Sequence, residues 1–264
     1  MIGAIIGDIA GSRFEWHNHR SKDFELLHPK CHFTDDTVMT LAVCDALMNS
    51  LPDYSDLGEQ SILSMQRIGR EYPYCGFGGM FKKWVHSDSP VAYNSFGNGA
   101  AMRVSGCAYV ADSLDEVKRL SKAVTEVTHN HPEGIKGAEA VAIATYLARI
   151  GTGMADIREY VTTNYYPLNF TLDEIRPTYK FDVTCQGSVP QALEAFFEST
   201  SFEDAIRNAI SIGGDSDTIA AITGSVAEAY YGVPANLREA AISFLDHRLL
   251  LLSQKFECKT GKIA

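Results

Sequence analysis

The chain has 264 residues, a mass of 29.0 kDa, a formal net charge of −10 and a pI near 5.2. This excess of acidic over basic residues argues against binding to a nucleic-acid backbone, because nucleic-acid-binding proteins usually carry a basic surface. The six cysteines are scattered without a C-x-x-C pair, which is typical of reduced thiols in the cytoplasm. No linker-like stretch interrupts the sequence, so we expect one domain covering residues 1–264.

The first eleven residues, MIGAIIGDIAG, are apolar except for Asp8. They lack a basic segment and are too short to cross a bilayer, so neither a signal peptide nor a membrane span is predicted. Residues 16–32 are polar and contain four histidines. We expect this stretch to be a surface loop that is able to form a lid.

Helical periodicity dominates the rest of the chain. Apolar positions recur at helical spacing in residues 38–48, 62–68, 117–127 and 193–197. Pro132 begins a long alanine-rich helix that Gly151 ends, and a helix rich in small residues is expected over residues 217–230. Alternating strand patterns are nearly absent. The sequence therefore predicts an all-α fold, a compact bundle of many helices.

Two acidic motifs, TDDT at residues 34–37 and GGDSDT at residues 213–218, lie where a loop becomes a buried helix. Capping a helix N-terminus needs one such side chain or two, and each motif holds four polar ones. If the motifs converge, four aspartates share a dry space, and each unbalanced charge costs on the order of several kcal/mol. A cation would balance them. Carboxylate and hydroxyl oxygens suit Mg²⁺ or Mn²⁺ better than zinc, and four aspartates could hold two ions.

A glycine-rich turn, NSFGNGAAMR, covers residues 94–103. Gly97 and Gly99 allow a tight turn before a helix, so free N–H groups there could receive a phosphate, although a purely structural turn is the commoner case. Phe96 could stack on a flat ring or be buried. Further on, His129 and His131 precede the long helix. No third soft ligand has a suitable spacing for zinc, so ligand contact or helix capping is expected.

In chain order, five segments resemble the ADP-ribosylglycohydrolase family over most of the chain: GDIAGSRFE (7–15), TDDT (34–37), SFGNGAAMR (95–103), TH (128–129) and GGDSDT (213–218). The resemblance implies an orthogonal all-α bundle that removes ADP-ribose from modified substrates with two Mg²⁺ or Mn²⁺ ions. By position, it implies a set of metal ligands: Thr34, Asp35, Asp36, Asp215, Asp217 and Thr218.

The resemblance also implies a binding site for the ADP-ribose part of the substrate. The residues that it assigns to this site are Ser95, Phe96, Gly97, Asn98, Gly99 and His129. The turn would hold the diphosphate, with Phe96 on the adenine side. Glycosidic cleavage passes through an oxocarbenium-like state and needs an activated water. We expect Asp36 or Asp215 to polarise that water and Glu15 to assist the leaving group or control access.

Three other functions remain open at this point. A metal-dependent phosphohydrolase would cleave the diphosphate and release AMP, a non-catalytic protein would only bind ADP-ribose, and a metal-free glycosidase would use two carboxylates. The partner is ADP-ribose or an ADP-ribosylated protein or small molecule, and the chain is expected to be a monomer. The leaving group is recognised by variable loops, including residues 16–32 and 72–90, so the sequence does not specify it.

Replacement of Asp35 or Asp36 by alanine is expected to abolish turnover of an ADP-ribosylated substrate, because each change removes an oxygen ligand from the predicted metal centre. The fold should survive either change. Release of free ADP-ribose measures the first effect, and circular dichroism measures the second. Full activity in either variant would contradict the metal assignment.

Overall fold

The computed structural model describes residues 1–261, in which the only β-structure is an isolated bridge between Gly97 and Thr184. The last residues of the predicted domain, 262–264, lie outside the described residues. Residues 1–261 form fifteen helices: α1 (Ile2–Gly11), α2 (Asp35–Asn49), α3 (Leu57–Glu71), α4 (Gly79–Val85), α5 (Gly99–Met102), α6 (Ser105–Val110), α7 (Leu114–Glu126), α8 (Pro132–Arg149), α9 (Met154–Asn164), α10 (Leu172–Ile175), α11 (Cys185–Phe197), α12 (Phe202–Ser211), α13 (Ser216–Tyr231), α14 (Ala235–Ile242) and α15 (His247–Lys259). The predicted all-α bundle is confirmed.

The helices expected from periodicity are present, and local chemistry sets their ends. Thr34 caps α2, because its side chain accepts the backbone N–H of Asp36 at 3.3 Å. Helix α8 begins at Pro132 as expected, and the side chain of His131 accepts an N–H from its first turn. Gly151, just beyond the end of α8, has a φ of +84°, a conformation that glycine adopts without strain.

One segment expected to be a loop is partly helical. Residues 72–90 contain α4, which buries Phe81, Trp84 and Val85 against the rest of the protein. This spacing of three apolar residues places them on one helix face. The helix is too short for its periodicity to stand out in the sequence.

The buried apolar side chains of the described residues form one contiguous core. It includes residues from α1, near the N-terminus, and from α15, near the end of the described chain. None of the described helices combines the length and the apolar character that a bilayer-spanning segment needs.

Helices α1 and α13 lie in this core with their backbones in direct contact. Every residue of α1 is buried, and so are residues 216–228 of α13. A Cβ atom added to Gly7 would lie 2.0 Å from the carbonyl oxygen of Ala220, and one added to Gly3 would lie 2.2 Å from that of Gly224. Only glycine leaves room for such an approach of two backbones.

The contact between α1 and α13 brings acidic groups together. Asp8 lies on α1 between Gly7 and Gly11, and a Cβ atom added to Gly11 would lie 2.5 Å from the Cα atom of Asp217. Asp217 is in the first turn of α13, and Asp36 is in the first turn of α2. The C-terminal half of α1 and the N-termini of α2 and α13 therefore meet at one place in the core.

Substitution of Gly7 by alanine is expected to destabilise the protein by about 1–3 kcal/mol, because the added methyl group overlaps the backbone of α13. Urea unfolding measures the change. Gly58→Ala is the matched control, since the nearest atom to its added Cβ would be 3.9 Å away. The control should be neutral or slightly stabilising. Equal stability of Gly7→Ala and the parent protein would contradict the close contact.

Candidate active site

Buried carboxylates cluster where α1, α2 and α13 meet. Side-chain oxygens of Asp8, Asp36 and Asp217 lie within 4.8 Å of one another. A second group, made of Glu15, Asp215 and Asp217, satisfies the same limit. Asp217 belongs to both groups, and all of these residues except the half-buried Glu15 are buried. The two acidic motifs therefore converge, and Asp8 joins them.

Threonines connect these carboxylates by hydrogen bonds. The hydroxyl of Thr34 donates to Asp8 Oδ1 at 2.7 Å, and the backbone N–H groups of Thr34 and Thr37 each donate to Asp8 Oδ2 at 2.9 Å. The hydroxyl of Thr218 donates to Asp36 Oδ2 at 3.2 Å. The other oxygen, Asp36 Oδ1, is buried and has no hydrogen-bond partner among the described residues. An unpaired buried carboxylate oxygen is a suitable ligand for a hard cation.

Burial raises the pKa of every carboxyl group in the cluster, and for all of them except Asp8 neighbouring carboxylates add to the effect, as Asp217 does for Asp36. The carboxyl groups with a raised pKa are those of Asp8, Glu15, Asp35, Asp36, Asp215 and Asp217. The pKa rises to about 8 for Asp35, about 7 for Glu15 and about 6 for Asp215. These groups resist ionising together, so they could hold divalent cations that balance their charge.

A cavity of about 340 Å³ opens onto the cluster. Five acidic residues line it: Glu15, Asp35, Asp36, Asp215 and Asp217. Asp35 is half-buried, and its Oδ1 lies 2.7 Å from the place where a Cβ of Gly76 would be. The cavity is also lined by residues of the glycine-rich turn and by Arg103 and His129. The volume falls within the range of small-molecule sites in proteins.

Hydrogen bonds hold the glycine-rich turn in place at the cavity. The backbone N–H of Asn98 donates to the carbonyl of Val183 at 2.7 Å, and its side-chain amide donates to Asp215 Oδ2 at 2.7 Å. Ser95 Oγ accepts the backbone N–H of Gly97 at 3.2 Å. Asn98 therefore orients an acidic residue in this structure, in addition to its predicted place in the ligand site.

His129 lies beside the turn as a neutral imidazole. Its Nε2 atom lies 3.5 Å from the place where a Cβ of Gly97 would be and 3.6 Å from that of Gly99. Its Nδ1 atom lies 2.7 Å from Thr128 Oγ1. Burial, together with the positive charge of Arg103, lowers the pKa of His129 well below its ordinary value. The imidazole ring of His129 that faces the cavity is therefore uncharged.

Three exposed aromatic residues lie near the site. Trp16 and Phe181 stack with ring centroids 5.0 Å apart, and both line the cavity. Phe96 is 41% exposed, with its ring centroid 5.0 Å from that of His131, and it is absent from the described residues that line the cavity. A flat ligand would reach the Trp16–Phe181 pair directly from the cavity.

Four residues of this site did not emerge from reasoning on the sequence: Asp8, Arg103, Trp16 and Phe181. Signals existed for two of them. Asp8 is the only charged residue in the apolar run that became α1, and Arg103 ends the glycine-rich motif. Nothing in the sequence connects Trp16 with Phe181, because their contact depends on the tertiary fold.

Comparisons with known proteins identify the family. A profile of the family described as ADP-ribosylglycohydrolase matches residues 1–255. The chain belongs to the ADP-ribosylglycohydrolase family. The ADP-ribosylhydrolase ARH3 of Homo sapiens is 26% identical, covering 96% of this chain and 91% of its own length. An ADP-ribosylarginine hydrolase of Pseudomonas putida (strain GB-1) is 23% identical, covering 88% of this chain and 70% of its own length.

A solved structure of the ADP-ribosylglycohydrolase type has the same fold. It belongs to an "ADP-ribosylglycohydrolase-related protein complex" and aligns with a TM-score of 0.70 at 21% identity, covering 98% of this chain and 95% of that chain. The predictions of the family, of its fold and of a glycohydrolase enzyme are thus confirmed.

The metal-free protein is expected to lose stability as pH rises from 5 to 8.5. The cluster carboxyls have a folded-state pKa above their unfolded value of about 4, so the folded protein binds more protons than the unfolded chain in this range. Stability is then fully present below about pH 4 and is lost as pH rises towards about 8. Thermal unfolding in EDTA measures this loss, and saturating Mg²⁺ should reverse it.

Asp36→Asn is the matched variant for the pH experiment, since it removes one charge from the cluster and keeps its shape. Its midpoint temperature in EDTA should depend less steeply on pH than that of the parent protein. A midpoint that rises with pH in EDTA, or equal slopes for the two proteins, would contradict the electrostatic description of the cluster.

Proposed function

We propose that this protein hydrolyses the N- or O-glycosidic bond at the ribose C1 atom of ADP-ribosylated substrates and releases ADP-ribose, with two Mg²⁺ or Mn²⁺ ions. The observation that carries the proposal is a cluster of acidic residues beside a cavity large enough for a small molecule. The cluster contains two sets of three carboxylates, and Asp217 belongs to both sets. Membership of the ADP-ribosylglycohydrolase family supports it.

The residues present fit two hard divalent cations. One group offers Asp8, Asp36 and Asp217, and the other offers Glu15, Asp215 and Asp217, all through carboxylate oxygens. The unpaired oxygen of Asp36 is the strongest single indication, because no described donor satisfies it. When bound, such ions orient the ribose hydroxyls and acidify a water molecule.

The two carboxylate groups differ from the predicted ligand set, because they add Asp8 and Glu15 and do not include Asp35. Thr34 and Thr218 were expected to be ligands, and in this structure their hydroxyls donate to Asp8 and Asp36. Asp8 was not expected and lies within the cluster. We therefore propose Asp8 as a further acidic residue of the centre, with the two threonines orienting carboxylates when no cation is bound.

The chain's own charges suit a glycosidic transition state. Positive charge develops on the ribose as the bond to C1 breaks, and fixed carboxylates near that atom stabilise it. Asp36 or Asp215 would take the proton of the attacking water. Glu15 lies half-buried on the cavity wall just after α1, where it would assist the leaving group or control access.

The other wall of the site suits the diphosphate. Gly97 and Gly99 leave space at the turn, and His129 is neutral and lies within reach of both. A neutral donor and the space beside the two glycines fit phosphate oxygens. Relatives named for ADP-ribosylhydrolase and for ADP-ribosylarginine hydrolase activity support the ADP-ribose portion and leave the scissile partner open.

The test is release of free ADP-ribose from arginine-linked, serine-linked and acetyl-linked substrates, with Mg²⁺, with Mn²⁺ and with EDTA. Metal-dependent release from one linkage, lost in Asp217→Asn, is the expected result, because Asp217 belongs to both carboxylate groups. Release of AMP would instead identify a diphosphate hydrolase. Turnover that persists in EDTA would contradict the metal, and tight binding of ADP-ribose without any turnover would contradict catalysis.

A further inference from the structure

Arg103 is a buried cation with few partners. Its side chain is 1% exposed and lines the cavity, and its Nε atom has no hydrogen-bond partner among the described residues. No described carboxylate forms an ion pair with it. Its Nη2 atom donates to Thr128 Oγ1 at 2.7 Å and lies 3.5 Å from His129 Nδ1. A buried arginine in this position directs its hydrogen bonds to a threonine and a histidine.

These contacts determine the direction of the hydrogen bonds. A guanidinium group can only donate, so Thr128 Oγ1 accepts from Arg103 and has one hydrogen left to give. The two candidate acceptors for that hydrogen are His129 Nδ1 at 2.7 Å and the carbonyl of Thr125 at 3.4 Å. The shorter contact is the better hydrogen bond. A proton on Nδ1 would also point at the donor groups of Arg103. Nδ1 is therefore the acceptor, and the ring proton lies on Nε2.

The opposite edge of the ring faces the ligand side. His129 lines the cavity, and Nε2 forms no hydrogen bond with a described residue. Gly97 and Gly99 lie beside Nε2. Because these two residues have no side chain, a ligand atom has room there. An Nε2–H group here has an unused hydrogen bond to give to an acceptor oxygen.

We propose that Arg103 acts, through the Thr128 hydroxyl, as a positioning residue that fixes His129 as its Nε2–H tautomer and so presents one hydrogen-bond donor to the oxygen of a bound phosphate. The proposal deepens the proposed function, since the phosphate concerned is the diphosphate of ADP-ribose. Arg103 and Thr128 need not touch the ligand. They ensure that the imidazole meets phosphate oxygen with a donor and not with a lone pair.

The direct test is the tautomer of His129 in the metal-free, ligand-free protein. Long-range ¹H–¹⁵N NMR on protein labelled at histidine nitrogens distinguishes a protonated from an unprotonated ring nitrogen. The His129→Gln variant assigns the signal among the eight histidines. The expected spectrum at pH 7.5 shows a neutral ring with the proton on Nε2. A proton on Nδ1, or a doubly protonated ring, would overturn the proposal.

Variants then test the two positioning groups. Thr128→Val removes the hydroxyl donor and keeps the shape of the side chain. Arg103→Met frees the threonine oxygen to accept from Nδ1–H. Both should move His129 to a mixture of tautomers and weaken binding of ADP-ribose, measured by calorimetry with Mg²⁺, in proportion to the lost Nε2–H fraction, about twofold for an equal mixture. The KM for substrate should rise more than kcat falls.

Matched controls separate positioning from general damage. Thr125→Val is the same substitution one helical turn away, at a buried hydroxyl with no hydrogen-bond partner among the described residues, and it should change neither the tautomer nor the affinity. Thr128→Ser keeps the hydroxyl and should restore both. An unchanged tautomer in Thr128→Val, or a changed tautomer with unchanged affinity, would overturn the proposal. A parent protein with the expected tautomer but neither affinity for ADP-ribose nor turnover would support the positioning by Arg103 and Thr128 and contradict the proposed function.

Discussion

The site depends on the direct backbone contact between α1 and α13. Glycines at positions 3, 7 and 11 remove the side chains that would otherwise separate the two helices. Asp8 is thereby held within a few ångströms of Asp217 in a dry part of the core. Carboxylates at that distance repel each other strongly in a medium of low dielectric. Close packing thus creates a concentration of negative charge that a bound cation would stabilise.

The site combines two kinds of wall around one cavity. The carboxylate of Glu15, just after α1, and those at the N-termini of α2 and α13 make one of them, and they are suited to divalent cations and to a sugar that becomes positive. The glycine-rich turn, His129 and Arg103 make the other, and this wall is neutral or positive. A ligand with a ribose at one end and phosphates beside it matches that arrangement. Asn98 joins the walls, since it belongs to the turn and its side chain holds Asp215.

Much of this could be predicted from local sequence. Periodicity identified α2, α8 and α13, and the density of acid and hydroxyl groups identified the two motifs at their N-termini. Asp8 was missed as a site residue because its partners lie on other helices, although its charge within an apolar run was a local signal. The Trp16–Phe181 stack was missed for the same reason. The side chain of Asn98, expected at the ligand, is directed by a carboxylate far away in the chain.

The most direct test of this account is a crystal structure of the protein grown with Mn²⁺ and ADP-ribose, with anomalous diffraction measured near the manganese absorption edge. The account predicts two anomalous peaks, one among Asp8, Asp36 and Asp217 and the other among Glu15, Asp215 and Asp217. Asp36 Oδ1 should lie within coordination distance of one of them. An absence of anomalous peaks at these carboxylates, with ADP-ribose bound in the cavity, would contradict the central claim that the cluster exists to hold metal ions.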